Sequence, residues 1–355
     1  AAGNYTGLPR RGWPVADLHL EDRLSSPGDS VRALTVGAVA HLDSPGAMVA
    51  AGHPAPYSRR GPGPVFTPKP DLVHAGGGVH EQWDAGPSSL QMLHPFDALY
   101  GSFGTSFATP IVSSVAGHVW QSLDGNPDVA VAPHMVKALL IHAARLASPD
   151  YGALERRYYG CGIPQDALSA LYDSDDCFTM MFEALVVPGF KWRKTPYPIP
   201  ASLMHNGKLR AEVIITAAYS PPLDPNAGAE YVRANVNVSF GVLDGSRISG
   251  KVPMEGEAGT TGYEAAQIEH GGKWSPVKLH RKKFPQGVAG DQWAIQLDAL
   301  LRANEPPLAE PLNVALVVSL RSLDANRQVH ADGVRALVQS NWVRQHLPVR
   351  VPVQV

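Results

Sequence analysis

The chain has 355 residues, 17% of them charged, with 30 Lys and Arg against 32 Asp and Glu and a formal charge of -2. So even a balance argues against nucleic-acid binding driven by bulk charge and against an acidic disordered chain, and a hydrophobic share of 44% is that of a core-forming protein. Two cysteines, Cys161 and Cys177, are too few for a disulfide scaffold or a four-ligand zinc site, and no apolar run reaches the ~20 residues a bilayer crossing needs.

The chain opens Ala1-Ala2-Gly3-Asn4, without an initiator methionine and without the basic-then-apolar pattern of a signal peptide. The expectation is a chain that starts inside a longer gene product. Val31 to Val39 (VRALTVGAV) is a compact, partly β-branched apolar run and reads as a buried parallel strand. Gly52 to Gly78 is rich in proline and glycine and reads as an ordered loop. From Ser106 to Leu123 the period turns helical, with Val112, Val115, Val119 and Leu123 about a turn apart; Gly125-Asn126-Pro127 stops it. A second helix fits Pro133 to Leu146, with proline at its first position and Val136, Leu139 and Leu140 on one face. Strand, loop, helix, helix is the order of an α/β domain.

After about residue 177 the period becomes two. Val232, Ala234, Val236, Val238 and Phe240 alternate with polar residues, as do Leu209, Ala211, Val213 and Ile215, and again Val349, Val351, Val353 and Val355. Leu312 to Leu320 is apolar on both faces and reads as a central strand. Many strands without a long helical pattern predict a β-sandwich over 178–355, of jelly-roll or fibronectin-like type, after an α/β domain over 1–177.

One motif carries chemistry. Gly104-Thr105-Ser106-Phe107-Ala108-Thr109-Pro110 sits where a helix begins. A serine there has free backbone N–H groups and a positive partial charge beside its oxygen, which suits negative charge developing on a carbonyl oxygen. Small Gly104 and Ala108 allow a substrate backbone to come close. The plainer reading is that Ser106 is only a helix cap.

The form G-T-S-x-A-x-P resembles the serine motif of the subtilisin-like serine peptidases, the subtilases. Ala1-Ala2-Gly3-Asn4, Leu34 to Val39, Tyr57-Ser58-Arg59-Arg60-Gly61-Pro62, Lys69-Pro70-Asp71-Leu72-Val73, Met135 to Leu140 and Tyr159 to Gly162 resemble further stretches of that family, in its order. The resemblance covers roughly residues 1–172. It implies a serine endopeptidase that works through an acyl-enzyme and needs no cofactor. Ser106 would be the nucleophile, and Asn4 with the Ser106 N–H would form the oxyanion hole. Ala1, Ala2, Gly3, Gly104 and Thr105 would line the substrate site. No metal ligands of the family are matched.

The family's order Asp, His, Ser would put its aspartate and histidine before Ala1, in an upstream part of the same peptidase domain. Asp43 follows Asn4 and lies on the wrong side. None of the 14 histidines is followed by Gly-Thr; His118 reads as an ordinary helix residue and His53, His74 and His94 as loop residues. This chain alone is therefore expected to be inactive. An insertion near the cleft is expected between Gly76 and Ser102.

Pro221 to Pro225, Ala229-Glu230-Tyr231 and Lys273 to Lys278 resemble intracellular bacterial subtilases paired with an AAA-type ATPase. That implies a cytoplasmic enzyme with a protein partner; secretion is the alternative. Lys273, Lys278, His280, Arg281, Lys282 and Lys283, beside Trp274 and Phe284, read first as a solvated edge-strand charge run, then as a docking face for an acidic partner, and last as a nucleic-acid contact. The cysteines read as reduced structural thiols. The competing function is a non-catalytic interaction module that keeps a subtilase scaffold.

Overall fold

A computed structural model describes residues 1–7, 11–16, 20–96, 98–126, 129–165, 167–169, 174–255, 272–340 and 342. Packing divides the chain into two units: residues 1–117 with 147–165, and residues 118–146 with the described residues from 167 onward.

In the first unit β1 (Val36–Val39) and β2 (Leu72–Ala75) pair in parallel, Val36 opposite Leu72. The strand begins later than the apolar run, and Thr35, just before it, accepts at its carbonyl from Asp71 and Leu72 N–H. Thr35 N–H donates to Asp71 Oδ2 at 2.6 Å and its hydroxyl to Gly28 O at 2.7 Å. Lys69, buried, donates to Ala33 O at 2.8 Å, Thr35 Oγ1 at 2.9 Å and Asp71 Oδ2 at 2.6 Å. The Lys-Pro-Asp run thus fixes β1 and β2 at their entry. The loop expected over 52–78 ends early: past Pro70 the chain turns apolar and forms β2.

Between Gly76 and Ser102 lies a hairpin, β3 (Leu90–Leu93) and β4 (Leu99–Ser102), Leu93 opposite Leu99. Helices α1 (Thr105–Asp124), α2 (Pro133–Ala147) and α3 (Ala153–Tyr159) follow. Tyr159 of α3 packs with Val39 and Val73, and the Asp22 carboxylate is buried between Arg11 at 2.9 Å and Arg60 at 2.6 Å.

The second unit adds β5 (Cys177–Val186), β6 (Lys191–Lys194), β7 (Met204–His205), β8 (Lys208–Leu209), β9 (Glu212–Tyr219), β10 (Ala234–Asp244), β11 (Arg247–Gly250), β12 (Val277–Lys283), β13 (Val288–Ala289), β14 (Trp293–Leu301) and β15 (Leu312–Arg321). Two four-stranded antiparallel sheets result, ordered β11-β10-β14-β6 and β12-β9-β15-β5. The alternation read from sequence becomes burial: Ala234, Val236, Val238 and Phe240 share one core with Val213, Ile215, Val314, Leu316 and Val318. The strand over 312–320 is central as expected, between β9 and β5.

Two expectations need correction. β9 is buried on both faces rather than one, because His142 of α2 covers its outer side through Thr216. The second half is also not all strand: α4 (Val329–Gln339) packs on the core through Val329 and Leu337, and Gly333 lies against the Phe178 ring. The run 349–355 lies outside the described residues. Among them, no helix is long and apolar enough to cross a membrane.

Candidate active site

Residues 1–5 form an extended strip held on two sides. Ala2 N–H donates to Val36 O at 2.8 Å, on the β1 side. On the other side Tyr5 N–H donates to Tyr57 O at 2.6 Å and Arg59 N–H to Gly3 O at 3.1 Å. Arg59 Nε also reaches Asn4 O at 3.2 Å. The stretches Ala1 to Asn4 and Tyr57 to Arg59 are therefore two halves of one structure. Gly3 has φ +97°, and a Cβ there would stand 2.8 Å from Ser25 Oγ and 2.9 Å from Arg59 Cδ, so only glycine fits.

This strip delivers Asn4 to the start of α1. Asn4 Oδ1 accepts from Thr105 N–H at 3.0 Å and from Thr105 Oγ1–H at 2.9 Å. A residue 101 positions away thus caps the helix in the manner of a local Asn or Ser cap. With the oxygen so engaged, the carboxamide nitrogen faces Gly104, where a Cβ would sit 3.2 Å from Nδ2. Gly104 is what allows that approach.

Ser106 follows in the first turn and is exposed. Its N–H belongs to the first four helix amides, which no carbonyl within the helix accepts. Pro110, four residues on, has no N–H to give the Ser106 carbonyl. Gly104 N–H donates to Gly76 O at 2.8 Å and Gly76 N–H to Val39 O at 3.1 Å, which ties the helix start to the carboxyl ends of β1 and β2. Ligands of open parallel sheets gather at such ends. Phe103, just before, packs on Tyr57 with ring centroids 5.2 Å apart. Tyr57 OH donates to Gly77 O at 2.8 Å, and burial pushes its ionisation far up.

The residues singled out in the sequence therefore come together unequally. Asn4, Gly104, Thr105 and Ser106 meet at one helix end. Ala1 is exposed and Gly3 half-buried beside them, while Ala2 is fully buried with its N–H spent on β1. Thr105 is 1% exposed, so its hydroxyl serves Asn4.

The histidines singled out in the sequence have surroundings of their own. His74, which belongs to β2 rather than a loop, accepts from Ala75 N–H at 2.8 Å, and His118 is exposed on α1. His53 lines an open groove of about 540 Å³ with Trp13, Asp43, Ser44 and Met48. Asp43 there accepts from Ala51 N–H at 2.7 Å. Sequence reasoning missed His142. Its Nδ1 lies 3.0 Å from Thr216 Oγ1 and its Nε2 2.8 Å from Ser319 Oγ, which is 2.6 Å from Thr179 Oγ1. Burial first, then Arg145 and Arg321, lowers it to about 3. A serine and a histidine meet here, but fully buried, and they join α2 to its sheet.

The basic cluster needs the same sorting. Lys278 and His280 are not solvated: both are buried, Lys278 Nζ donating to Asn235 Oδ1 and Gly272 O at 2.7 Å each. β12 is the outermost strand of its sheet, and residues 254–255 pair with it, Met254 opposite His280 and Glu255 N–H donating to Leu279 O at 2.7 Å. Arg281 donates to Glu212 at 2.7 Å, and Trp274 lies under the Arg302 guanidinium at 3.6 Å. Burial alone would raise the Glu212 carboxyl, but hydrogen bonds from Arg281 and Arg321 outweigh it and hold it low. Only Lys282 and Lys283 keep the exposed reading. Cys161 and Cys177 are both buried, and burial raises the Cys177 thiol. Among the described residues, no three His, Cys, Asp or Glu groups converge as a metal site requires.

Residues 1–162 match the family model described as the Subtilase family (Peptidase_S8). A protein of Sinorhizobium fredii (strain NBRC 101917 / NGR234), described as the uncharacterized protein y4bN, is 26% identical over 262 residues. The match covers 66% of this chain and 58% of that relative, so the chain spans less than two thirds of its length.

Proposed function

Residues 1–162 belong to the subtilase family, and from that premise we propose that the chain is the serine-bearing part of a peptidase acting through Ser106. The observation that carries the reading is the Asn4 carboxamide bound by its oxygen to Thr105, with its nitrogen turned toward Gly104 at the start of α1. In this reading Ser106 Oγ attacks a peptide carbonyl and gives its proton to a base. The carbonyl oxygen takes the negative charge and accepts hydrogen bonds from Ser106 N–H and Asn4 Nδ2–H. Collapse of that adduct expels the amine, which takes up the proton, and water later releases the acyl group. Ala1, Gly3 and Gly104 border the substrate, and Thr105 positions Asn4.

The base and its orienting aspartate are proposed to lie before Ala1, in the order Asp, His, Ser. A serine without a base is a weak nucleophile. Two sheets sharing one core support an accessory β-sandwich in the second unit. An AAA-type ATPase partner and a cytoplasmic setting rest on the resemblance of Pro221 to Pro225, Ala229-Glu230-Tyr231 and Lys273 to Lys278.

A fluorophosphonate probe tests this. The 355-residue chain by itself should label at no enzyme-like rate, and joining it to the preceding segment should give fast labelling that Ser106→Ala abolishes. Fast labelling of the chain alone would refute an upstream base. No labelling with the segment present would favour the non-catalytic scaffold.

A further inference from the structure

The stretch Tyr57 to Arg60 runs between two other strips of chain. On one side Asn4 bridges to Ser58, antiparallel; on the other Arg23 bridges to Arg60, parallel. Arg60 N–H donates to Asp22 O and Leu24 N–H to Arg60 O, each at 2.9 Å. That second strip is pinned from within. The Asp22 carboxylate, 1% exposed, takes Arg11 and Arg60, and Tyr158 OH donates to its Oδ2 at 3.2 Å.

The Arg59 side chain crosses from one strip to the other. Its Nε donates to Asn4 O at 3.2 Å, and its Nη1 donates to Arg23 O at 2.8 Å and to Glu21 O. All three acceptors are main-chain carbonyls. A planar guanidinium donates from separate edges in fixed directions, so it can serve both strips at once; an ammonium is a point donor on a flexible stem. The stem of Arg59 passes over Gly3, where a Cβ would stand 2.9 Å from Cδ, so the glycine and the arginine belong to one arrangement. Asn4 itself is exposed, and hydrogen bonds hold it at two ends: Thr105 takes the carboxamide oxygen, and Arg59 takes the carbonyl.

We propose that Arg59 is a positioning residue: through the Asn4 carbonyl it fixes where the Asn4 carboxamide stands over the start of α1, and it couples that placement to the pinned segment 21–23. The placement stands apart from the peptidase reading; only its consequence for turnover rests on that reading. A small displacement of a group aimed at reacting atoms costs rate far more than it costs stability.

The first test uses the 355-residue chain, ¹⁵N-labelled, with amide hydrogen exchange followed by NMR. Thr105 N–H, which Asn4 Oδ1 accepts, should exchange about tenfold faster in Arg59→Met, an ordinary size for losing a hydrogen bond from a charged donor. Gly104 N–H, given to Gly76 O, and Tyr5 N–H, given to Tyr57 O, should keep their rates. Arg59→Lys should behave as Arg59→Met does, because charge without the fork cannot span both strips. An unchanged Thr105 rate in Arg59→Met overturns the proposal. So does a rise at Gly104 and Tyr5 as large as that at Thr105, since Arg59 then merely holds the fold. Wild-type protection in Arg59→Lys overturns it too, by assigning the effect to charge alone. The second test uses the chain joined to its preceding segment, hydrolysing fluorescein-labelled casein. Arg59→Met should lower kcat about tenfold with KM held. An unchanged kcat in a joined chain whose Ser106 does label removes the coupling to the oxyanion donor. If Ser106 never labels, the peptidase reading falls and the exchange result is still read by itself.

Discussion

Asn4 turns the two ends of one carboxamide to different tasks: the oxygen closes the helix and the nitrogen faces Gly104. If the proposed upstream segment completes a peptidase, Asn4→Ala in the joined chain should lower kcat by ~10²–10³ with little change in KM, the magnitude seen for such a donor in a subtilase. Thr105→Val removes the hydroxyl donor at 2.9 Å but keeps the N–H, so the carboxamide gains freedom. The expected loss is about tenfold in kcat with KM held, recovered by Thr105→Ser; equal rates for both variants would show the hydroxyl does not orient Asn4. Gly104 and Ser106 were readable from their motif. That Thr105 would turn inward was not, because the spacing of three letters says nothing of which face of the first turn is covered.

At the scale of elements, the buried Lys69–Asp71 pair joins the backbone bonds at Thr35 in holding the entry of β1. Lys69→Met would leave Asp71 buried beside Thr35 without its cation, and should destabilise the fold by ~3 kcal/mol in urea unfolding. An unchanged midpoint would remove Lys69 from that role. Periodicity found α1, α2, β10 and β15, where long stretches face one core. It missed β3 and β4, since strands of four residues with glycine and proline nearby carry too few alternations to register. It missed α4 for a different reason: Gly333 weakens the helical signal, yet it is the residue that lets Phe178 come close. The basic run at 278–283 misled because polarity was read as exposure, whereas an edge strand can turn its charges inward.

At the scale of the whole molecule, the described residues include two buried neutral histidines, His142 and His280, in the second unit. Burial lowers His142 to about 3 and His280 to about 4. The unfolded chain takes up these protons near pH 6.5, and the folded chain does not until far lower. Their contribution is therefore complete above pH 6.5 and is lost as pH falls toward 4 and then 3, by about 1 kcal/mol per pH unit for each. Urea midpoints measured from pH 7 to 4 should fall steeply, and His142→Gln should flatten the slope; a parallel slope would exclude His142 as a source.

A last consequence concerns ageing. Hydrolysis of the Asn4 side-chain amide to an acid would keep the two acceptor bonds to Thr105, so the helix cap would survive. The group turned toward Gly104, however, which the proposed oxyanion hole needs as a donor, would become an anionic acceptor. An old molecule could keep its helix cap and still be chemically spent.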